Sequence, residues 1–433
     1  MGEVSGKKKV FVGMSGGVDS SVTAYLLKKE GYDVHGVFMR CYNLDGCVAR
    51  DSGDAKKVAE QIGIPFDIWD FEEEYKERVV GYMVEGYRAG LTPNPDVMCN
   101  REIKFGLFLS RALKEGADYV STGHYVRIKA IPTPKGVGTP TESVGAGHYV
   151  RIVSSQEGVG SRNKSKKNLL NPTGYTLMAA RDTQKDQSYF LWTLTQKELA
   201  HCLFPIGDYL KPEVRAIARE AGLATADKKD SQGICFLGSV SLEEFLGSYL
   251  PAKRGNVLNI AGEKVGEHSG AHFYTIGQRH GVGNIKHQKG NTLHVPVYVS
   301  EKDVEKNTLV VAEGSDNPAL FRKELELRDM NFIDPHHSLI RANERMSVYA
   351  RVRYRQPLAK AMLASGVGCQ APGNETHMIH DTCNMKLTFD EPQKFVAPGQ
   401  SAVFYVKENP SSLSTRSGRN SDEFRMLGGG VIC

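Results

Sequence analysis

No run of about 18 apolar residues occurs in the 433-residue chain, so a membrane-spanning helix is not expected. The first residues, MGEVSGKKKVFVGMSGG, carry a basic trio followed only by VFV, too short for the apolar stretch of a secretory signal. Cysteine is sparse: eight in a chain of this length cannot build a disulfide scaffold, and the expectation is free thiols in a reducing, cytoplasmic compartment. Charge is nearly balanced, with a formal excess of +5, which permits a polyanionic partner without requiring one. What is present is ordinary: 40% hydrophobic and 24% charged residues, enough chain for two or three domains with substantial cores.

From Lys9 to about Tyr125, short β-rich runs alternate with helical periodicity. VFVGM leads into a helix carrying Val18, Val22, Tyr25 and Leu26 and stopped by Gly31. DVHGVFMR reads as a strand, then Ala55, Val58, Ala59 and Ile62 mark a helix ended by Gly63, then PFDIWDF as a strand. CNREIKFGLFLSRALKEG is helical and ADYVSTGHY a strand with its turn. Strands alternating with helices predict βαβ units and a parallel, doubly wound α/β sheet whose ligands sit at the carboxyl ends of the strands.

Between Ile128 and Tyr175 the texture turns to Gly, Ser, Pro, Thr and Lys, which predicts a long, mobile surface insertion. GHYVRI occurs twice there, from Gly123 and from Gly147. Only the first copy follows a convincing strand, so function is assigned to His124 and His148 is read as its echo. Helical patterns return after Tyr175, and from about Lys253 the chain becomes turn-rich, then strand-rich, which suggests a small antiparallel barrel or sandwich at the C-terminus.

The loop GMSGGVDSS lies between the first strand and helix but lacks the lysine of a Walker A loop. Gly16 and Gly17 let the backbone approach an anion, Ser15, Ser20 and Ser21 offer hydroxyls, and the helix start supplies amide donors. Asp19 is acidic in a phosphate site, so it is expected to help hold Mg²⁺ or to cap the helix. In TPNPDVMCNREIKF, Pro93 and Pro95 are read as forbidding helix, which places Cys99 at a helix start where the dipole would lower its pKa. Asp96 stands three residues away as a possible acid or base. A buried cysteine after a polar turn is an equal reading of this segment alone. Cys235, in KKDSQGICFLG, has Lys228 and Lys229 upstream, although Ile-Cys-Phe is more often core. Cys41 and Cys47 lack further zinc ligands and are read as incidental, as are Cys202, Cys369, Cys383 and Cys433; no metal centre is expected. Arg351, Arg353 and Arg355 alternate as if along one strand, a stripe that would track phosphates or simply be solvated.

GMSGGVDSS, TPNPDVMCN, STGHY, KDQSYFL, KKDSQGICF, YTIGQR, RYRQ and GQSAVFY together resemble the tRNA-specific 2-thiouridylases of the PP-loop (N-type ATP pyrophosphatase) superfamily, from about Val10 to Ile432. The insertion and much of residues 365–377 depart from the pattern. The resemblance implies a Rossmann-like, adenine nucleotide alpha hydrolase-like domain at 1–240 with its insertion at about 129–176. A central tRNA-contacting domain at 241–300 and a C-terminal antiparallel β-barrel at 301–433 would follow. It further implies ATP binding by Gly13, Met14, Ser15, Gly16, Gly17, Val18, Asp19, Ser20, Met39 and Gly123, with Mg²⁺. The wobble uridine would be adenylated at O2, a loop that releases pyrophosphate having less use for a γ-phosphate lysine. Cys235 would carry a persulfide, Cys99 would form a transient disulfide with Cys235, and Asp96 would handle the proton. Asn94, Pro95, Asp96, His124, Lys185, Asp186, Gln187, Arg353, Tyr354 and Gln400 would contact tRNA. The implied partners are the tRNAs for Lys, Glu and Gln and a sulfur donor, either a cysteine desulfurase or a sulfur-relay protein.

Other readings stay open on the residues. Asp96, Cys99 and Cys235 could ligate an iron-sulfur cluster. A PP-loop ligase activating a small carboxylate would also use the loop, although Gly2 after the initiator methionine leaves no N-terminal glutaminase cysteine. A non-catalytic RNA-binding module would release no pyrophosphate.

Overall fold

The computed structural model describes residues 6–42, 46, 48–131, 172, 174–230, 237, 240–279, 281, 295–333, 345–365, 385–408 and 423–433. Cys47, His148, Cys235, Cys369, Cys383, most of the insertion and residues 366–377 therefore lie outside the described residues.

The alternating N-terminal pattern folds as β1 (Lys9–Gly13), α1 (Val18–Lys29), β2 (Asp33–Arg40), α2 (Val48–Ile62), β3 (Phe66–Asp70) and β4 (Tyr119–Thr122). A hairpin of β5 (Arg127–Ile131) and β6 (Gly174–Met178) follows, and β7 (Cys202–Leu203) completes a parallel sheet of order β3-β2-β1-β4-β7. Val10, Phe11 and Val12 are buried because helices cover both faces, the usual cause of continuous apolar strands in parallel sheets. The sheet changes direction at β1, which pairs with β2 on one side and β4 on the other, so the loops after β1 and β4 meet at the crevice where such folds take ligands.

The second sheet joins β8 (Gly255–Asn259), β9 (Lys264–His268), β10 (Val297–Asp303) and β11 (Thr308–Glu313) in the order β10-β11-β8-β9. The boundary expected at residue 300 falls within β10. The third sheet contains β12 (Phe321–Phe332), β13 (Arg345–Arg351), β14 (Ala359–Ser365), β15 (Met385–Lys394), β16 (Ser401–Glu408) and β17 (Glu423–Ile432). Antiparallel pairing runs β12-β15-β14-β13-β16-β17, and β12 returns to β17 to close the barrel, leaving no open edge among these six strands.

The expected insertion limits at about 129 and 176 lie inside β5 and β6, not in irregular chain. This hairpin attaches the first domain to the barrel. Arg127 and Lys129 reach the two oxygens of Glu423 at 2.8 and 2.9 Å, and the Ala179 amide donates to the Phe424 carbonyl. Composition marks a change there but could not show that β6 pairs with a strand about 250 residues later, at Arg425 opposite Met178. No helix among the described residues is long and apolar enough to cross a membrane.

Candidate active site

The glycine-rich turn delivers α1 with its first amides toward the crevice. Gly17 is the extended N-cap and has no side-chain capping bond, so the helix start keeps its donor character. Ser20 organises the turn, its hydroxyl accepting from the Ser15 amide at 3.1 Å and donating to the Gly17 carbonyl at 3.1 Å. Gly16 has φ +73°, and a Cβ there would lie 2.2 Å from the Asp51 carbonyl oxygen, so both conformation and space demand glycine. At the end of β2, the Met39 methyl lies 2.8 Å from where a Cβ on Gly13 would stand. Gly123, just past β4, packs so tightly on α1 that a Cβ would meet the Ser20 nitrogen at 2.7 Å. The fold thus gathers Gly13 through Ser20, Met39 and Gly123 at the carboxyl ends of three neighbouring strands. Gly123→Ala must displace the first turn of α1, and we expect its kcat/KM for ATP to fall about 100-fold. Initial rates at varied ATP check this, and a change under threefold would contradict it.

Asp19 does not wait for a metal. Lys211, at the start of the Lys211–Glu220 helix, places its ammonium 2.8 Å from both Asp19 oxygens, and the Tyr125 hydroxyl donates to Asp19 Oδ1 at 2.8 Å. Lys211 is also 2.9 Å from Asp230, which pairs with Lys185 and Arg215 at 2.8 Å each. Burial works against ionising Asp230, yet hydrogen bonds from Lys185 and Lys211 hold its carboxyl down at about 2. Both expected roles for Asp19 are thus modified: it caps nothing by a side-chain bond, and a cation already occupies its carboxylate. Beside this cluster is an open cleft of about 660 Å³ lined by Asp51, Asp54, Lys228 and Asp230 among others.

The thiol segment corrects the sequence reading. A helix begins at Pro95, not after Cys99. Asn94 is its N-cap and accepts from the Val97 amide at 3.2 Å, and Pro95 sits at the opening position where a missing N–H costs nothing. The helix passes Cys99, widens into a π-helical stretch over Asn100–Phe108 and runs on to Lys114. Asp96, rather than Cys99, occupies the first turn, so the argument for thiol activation by the helix dipole loses its geometric basis. Cys99 is buried, 5% exposed, in the core beside Val97 and Ile103. Burial raises the Asp96 carboxyl above its ordinary 3.8, with the Lys104 charge partly opposing. The same Lys104 charge acts on His124, whose ring burial keeps neutral well below 6.5. Phe105, the next residue on this helix, lies 6.1 Å ring to ring from His124, the residue after Gly123.

Because the folded state favours protonated Asp96, this group's stabilisation is full below pH 3.8 and is lost as pH rises through the raised value. Asp96→Asn should consequently gain thermal midpoint relative to the parent on going from pH 4 to pH 8, by about 2 °C or more. Calorimetry at the two pH values checks it; a difference that shrinks with pH would refute it.

The residues expected to face RNA divide into two groups. His124 is buried between Phe105 and Phe204 and bonds to Thr122 Oγ1 at 2.7 Å. Asp186 is 2% exposed and accepts from the Ala180 and Ser188 amides and from Arg351. Gln187 is bonded in both directions to the Tyr125 backbone, and Lys185 to Asp230. Arg353 donates to the Ile276 carbonyl at 2.6 Å, and Gln400 to the Thr92 carbonyl at 3.0 Å. His124 and Asp186 are buried, whereas Lys185, Gln187, Arg353 and Gln400 are half-buried and held by these bonds. Tyr354, also half-buried, differs in its contacts: it lies 4.5 Å from the Phe190 ring centroid with the Arg355 guanidinium over its own ring. The expected arginine stripe is not present, because β13 ends at Arg351, whose side chain turns inward, and Arg355 is in the left-handed region at φ +65°.

The chain has relatives over most of its length. A family described as tRNA methyl transferase HUP domain matches residues 8–140 and 135–239. A tRNA methyl transferase PRC-barrel domain matches 243–313, and an aminomethyltransferase beta-barrel domain 322–432. The tRNA-specific 2-thiouridylase MnmA of Alkaliphilus oremlandii is 41% identical over 92% of this chain and 93% of its own length. Those of Streptococcus mutans and Nitrosomonas europaea are 42% and 41% identical over 92% of this chain and 92% and 95% of their own. The chain belongs to the tRNA-specific 2-thiouridylase family.

For a member of the thiouridylase family, the structure brings in residues that local sequence patterns missed. Lys211 and Asp230 complete the acidic position of the glycine-rich loop from about 200 residues away, and KPEVRAIAREAGL read only as a helix. Lys104 is inconspicuous within an amphipathic run. Phe190, in the KDQSYFL stretch, supports Tyr354 and also accepts from the Asn100 side chain at 3.3 Å through its carbonyl.

Proposed function

We propose that this protein is a tRNA sulfurtransferase that uses ATP to replace O2 of an anticodon wobble uridine by sulfur. The observation that supports the reading is the packing of the helix carrying Asp96 and Cys99 against the strand ends that hold the glycine-rich loop. The helix that runs on from Asp96 and Cys99 packs against the nucleotide loop: a Cβ on Gly13 would meet the Phe108 ring at 3.8 Å, and the Phe105 ring lies 6.1 Å from that of His124, the residue after Gly123. Family membership supplies the substrate class.

In the proposed reaction, uracil O2 attacks the α-phosphorus of ATP. The O2–P bond forms, the bond to the β-phosphate oxygen breaks, and pyrophosphate departs with the electron pair while N3 loses its proton. An amide-like oxygen, a very poor leaving group, thereby becomes AMP. The terminal sulfur of a persulfide on Cys235 attacks C2. The Cys99 thiolate then attacks the Cys235 sulfur, leaving sulfur on C2, expelling AMP and joining the cysteines as a disulfide that an external thiol must reduce. Asp96, on the turn before Cys99 and kept toward its protonated form by burial, would exchange the Cys99 proton. The glycine-rich loop, Met39 and Gly123 hold the nucleotide. Mg²⁺ would arrive on the phosphates, since Asp19 already holds Lys211, and no step is routed through it.

Asn94 and Pro95 shape the entry to the Asp96–Cys99 helix. Tyr354 with Phe190 offers an aromatic surface for an unstacked base, whose extrusion costs roughly a few kcal/mol. The test is incubation of the full chain with ATP, unmodified tRNA and a sulfide source, followed by mass spectrometry of the tRNA hydrolysate. Formation of 2-thiouridine with stoichiometric pyrophosphate supports the reading. Pyrophosphate release driven by a small carboxylate instead of tRNA would replace it with a ligase.

A further inference from the structure

The glycine-rich loop has no lysine of its own, and the structure supplies one. We propose that Lys211 is a phosphate ligand of the nucleotide site and stabilises the pyrophosphate as it leaves. This rests on the ATP-dependent reading above and extends it by a residue.

The geometry is unusual for a merely structural lysine. Its side chain is 11% exposed, and an ammonium is costly to bury unless it is fully paired. Three donors of the ammonium face three carboxylate oxygens, two on Asp19 and one on Asp230, at 2.8 to 2.9 Å. Asp19 belongs to the first turn of α1, so the charge is held one carboxylate away from the amides that would cradle the phosphates. The Tyr125 ring lies 5.7 Å beneath it and closes the other side.

The two acids are not equivalent partners. Asp19 has Lys211 and the Tyr125 hydroxyl, so loss of the lysine would strip it of its only described cation. Asp230 also holds Lys185 and Arg215, and so stays neutralised if Lys211 exchanges one contact for a phosphate oxygen. Exchange of the Asp230 contact is therefore the inexpensive movement, with Asp19 as the tether. An ammonium in this position meets the charge that accumulates on the departing oxygen when the α-phosphorus bond breaks. A preorganised cation in a half-buried site is most effective there. Lysine, a compact point charge with rotatable donors, suits such an exchange.

The experiment measures calorimetric affinities for ATP and AMP in Lys211→Met, Lys211→Arg, Asp19→Asn and the Asp19→Asn/Lys211→Met double variant. The contact is with phosphates that AMP lacks. Lys211→Met should thus weaken ATP binding about 10- to 100-fold while AMP stays within about twofold, and arginine should restore most of the loss. The double variant removes the stranded carboxylate charge. If Lys211 only neutralises Asp19, the double variant will bind ATP as Asp19→Asn does, and the proposal is overturned; if Lys211 grips phosphate, the double variant remains weaker. Equal loss of ATP and AMP affinity, or no loss, also overturns it. Formation of 2-thiouridine by the parent protein is assayed alongside, so failure of this inference is distinguishable from failure of the ATP-dependent reading.

Discussion

Replacing Cys99 by serine is expected to lower 2-thiouridine formation by roughly 10³-fold or more while tRNA-dependent pyrophosphate release continues within a few-fold. An alcohol can neither reduce a persulfide linkage nor form a disulfide, whereas adenylation needs only the nucleotide cradle and the base. The exchange of sulfur for oxygen is nearly isosteric. Its cost is that of a hydroxyl in the apolar surroundings of Val97 and Ile103, about 1–3 kcal/mol, so a thermal melt accompanies the assay. Without added small thiols, Cys99→Ser should accumulate tRNA joined to the enzyme through sulfur and released by reductant. Cys235→Ser should lose thiolation too but form no such adduct. The contrast assigns the two cysteines their order in the reaction. Thiolation by Cys99→Ser within a few-fold of the parent would remove that residue from the chemistry.

Much of the fold was legible because it is written in local periodicity. The run VFVGM, the helix with Val18, Val22 and Leu26, and the stops at Gly31 and Gly63 each describe a buried strand or a one-faced helix without reference to distant chain. The barrel was legible as rhythm but not as closure, since the β12–β17 pairing joins strands about 100 residues apart. The misread thiol segment has a specific cause. Proline was taken as a helix breaker, although at the first helical position it promotes the helix, and Asn94 is the cap that marks that start. The loop's missing lysine had no local signature at all, because Lys211 meets Asp19 only through tertiary packing of its helix on α1. His124 and Asp186, expected at the RNA surface, are buried for a related reason. A short motif identifies residues that a site depends on without telling whether they touch the ligand or hold the residues that do.

The Asp186–Arg351 pair is where this distinction carries its largest stability effect. Both side chains are almost fully buried, 2.9 Å apart, and they join the segment after β6 to the end of β13. The guanidinium also lies 5.1 Å over the Tyr405 ring, and the Tyr405 hydroxyl bonds to Ser188 beside Asp186. Burial opposes the Arg351 charge, but the Tyr405 and Asp186 side chains hold its proton even more firmly than usual. Removing one partner strands a charge in a low dielectric, so Arg351→Met should lose about 3–5 kcal/mol in denaturant unfolding. Asp186→Asn preserves shape and backbone acceptance while removing the charge, so it should cost much less in the Arg351→Met background than in the parent. Additive losses would show that the pair is not coupled. The consequence for function follows from position. The turn carrying Arg353 and Tyr354 begins where Arg351 is anchored, so Arg351→Met should also weaken binding of unmodified tRNA, measured on variant protein that is still folded.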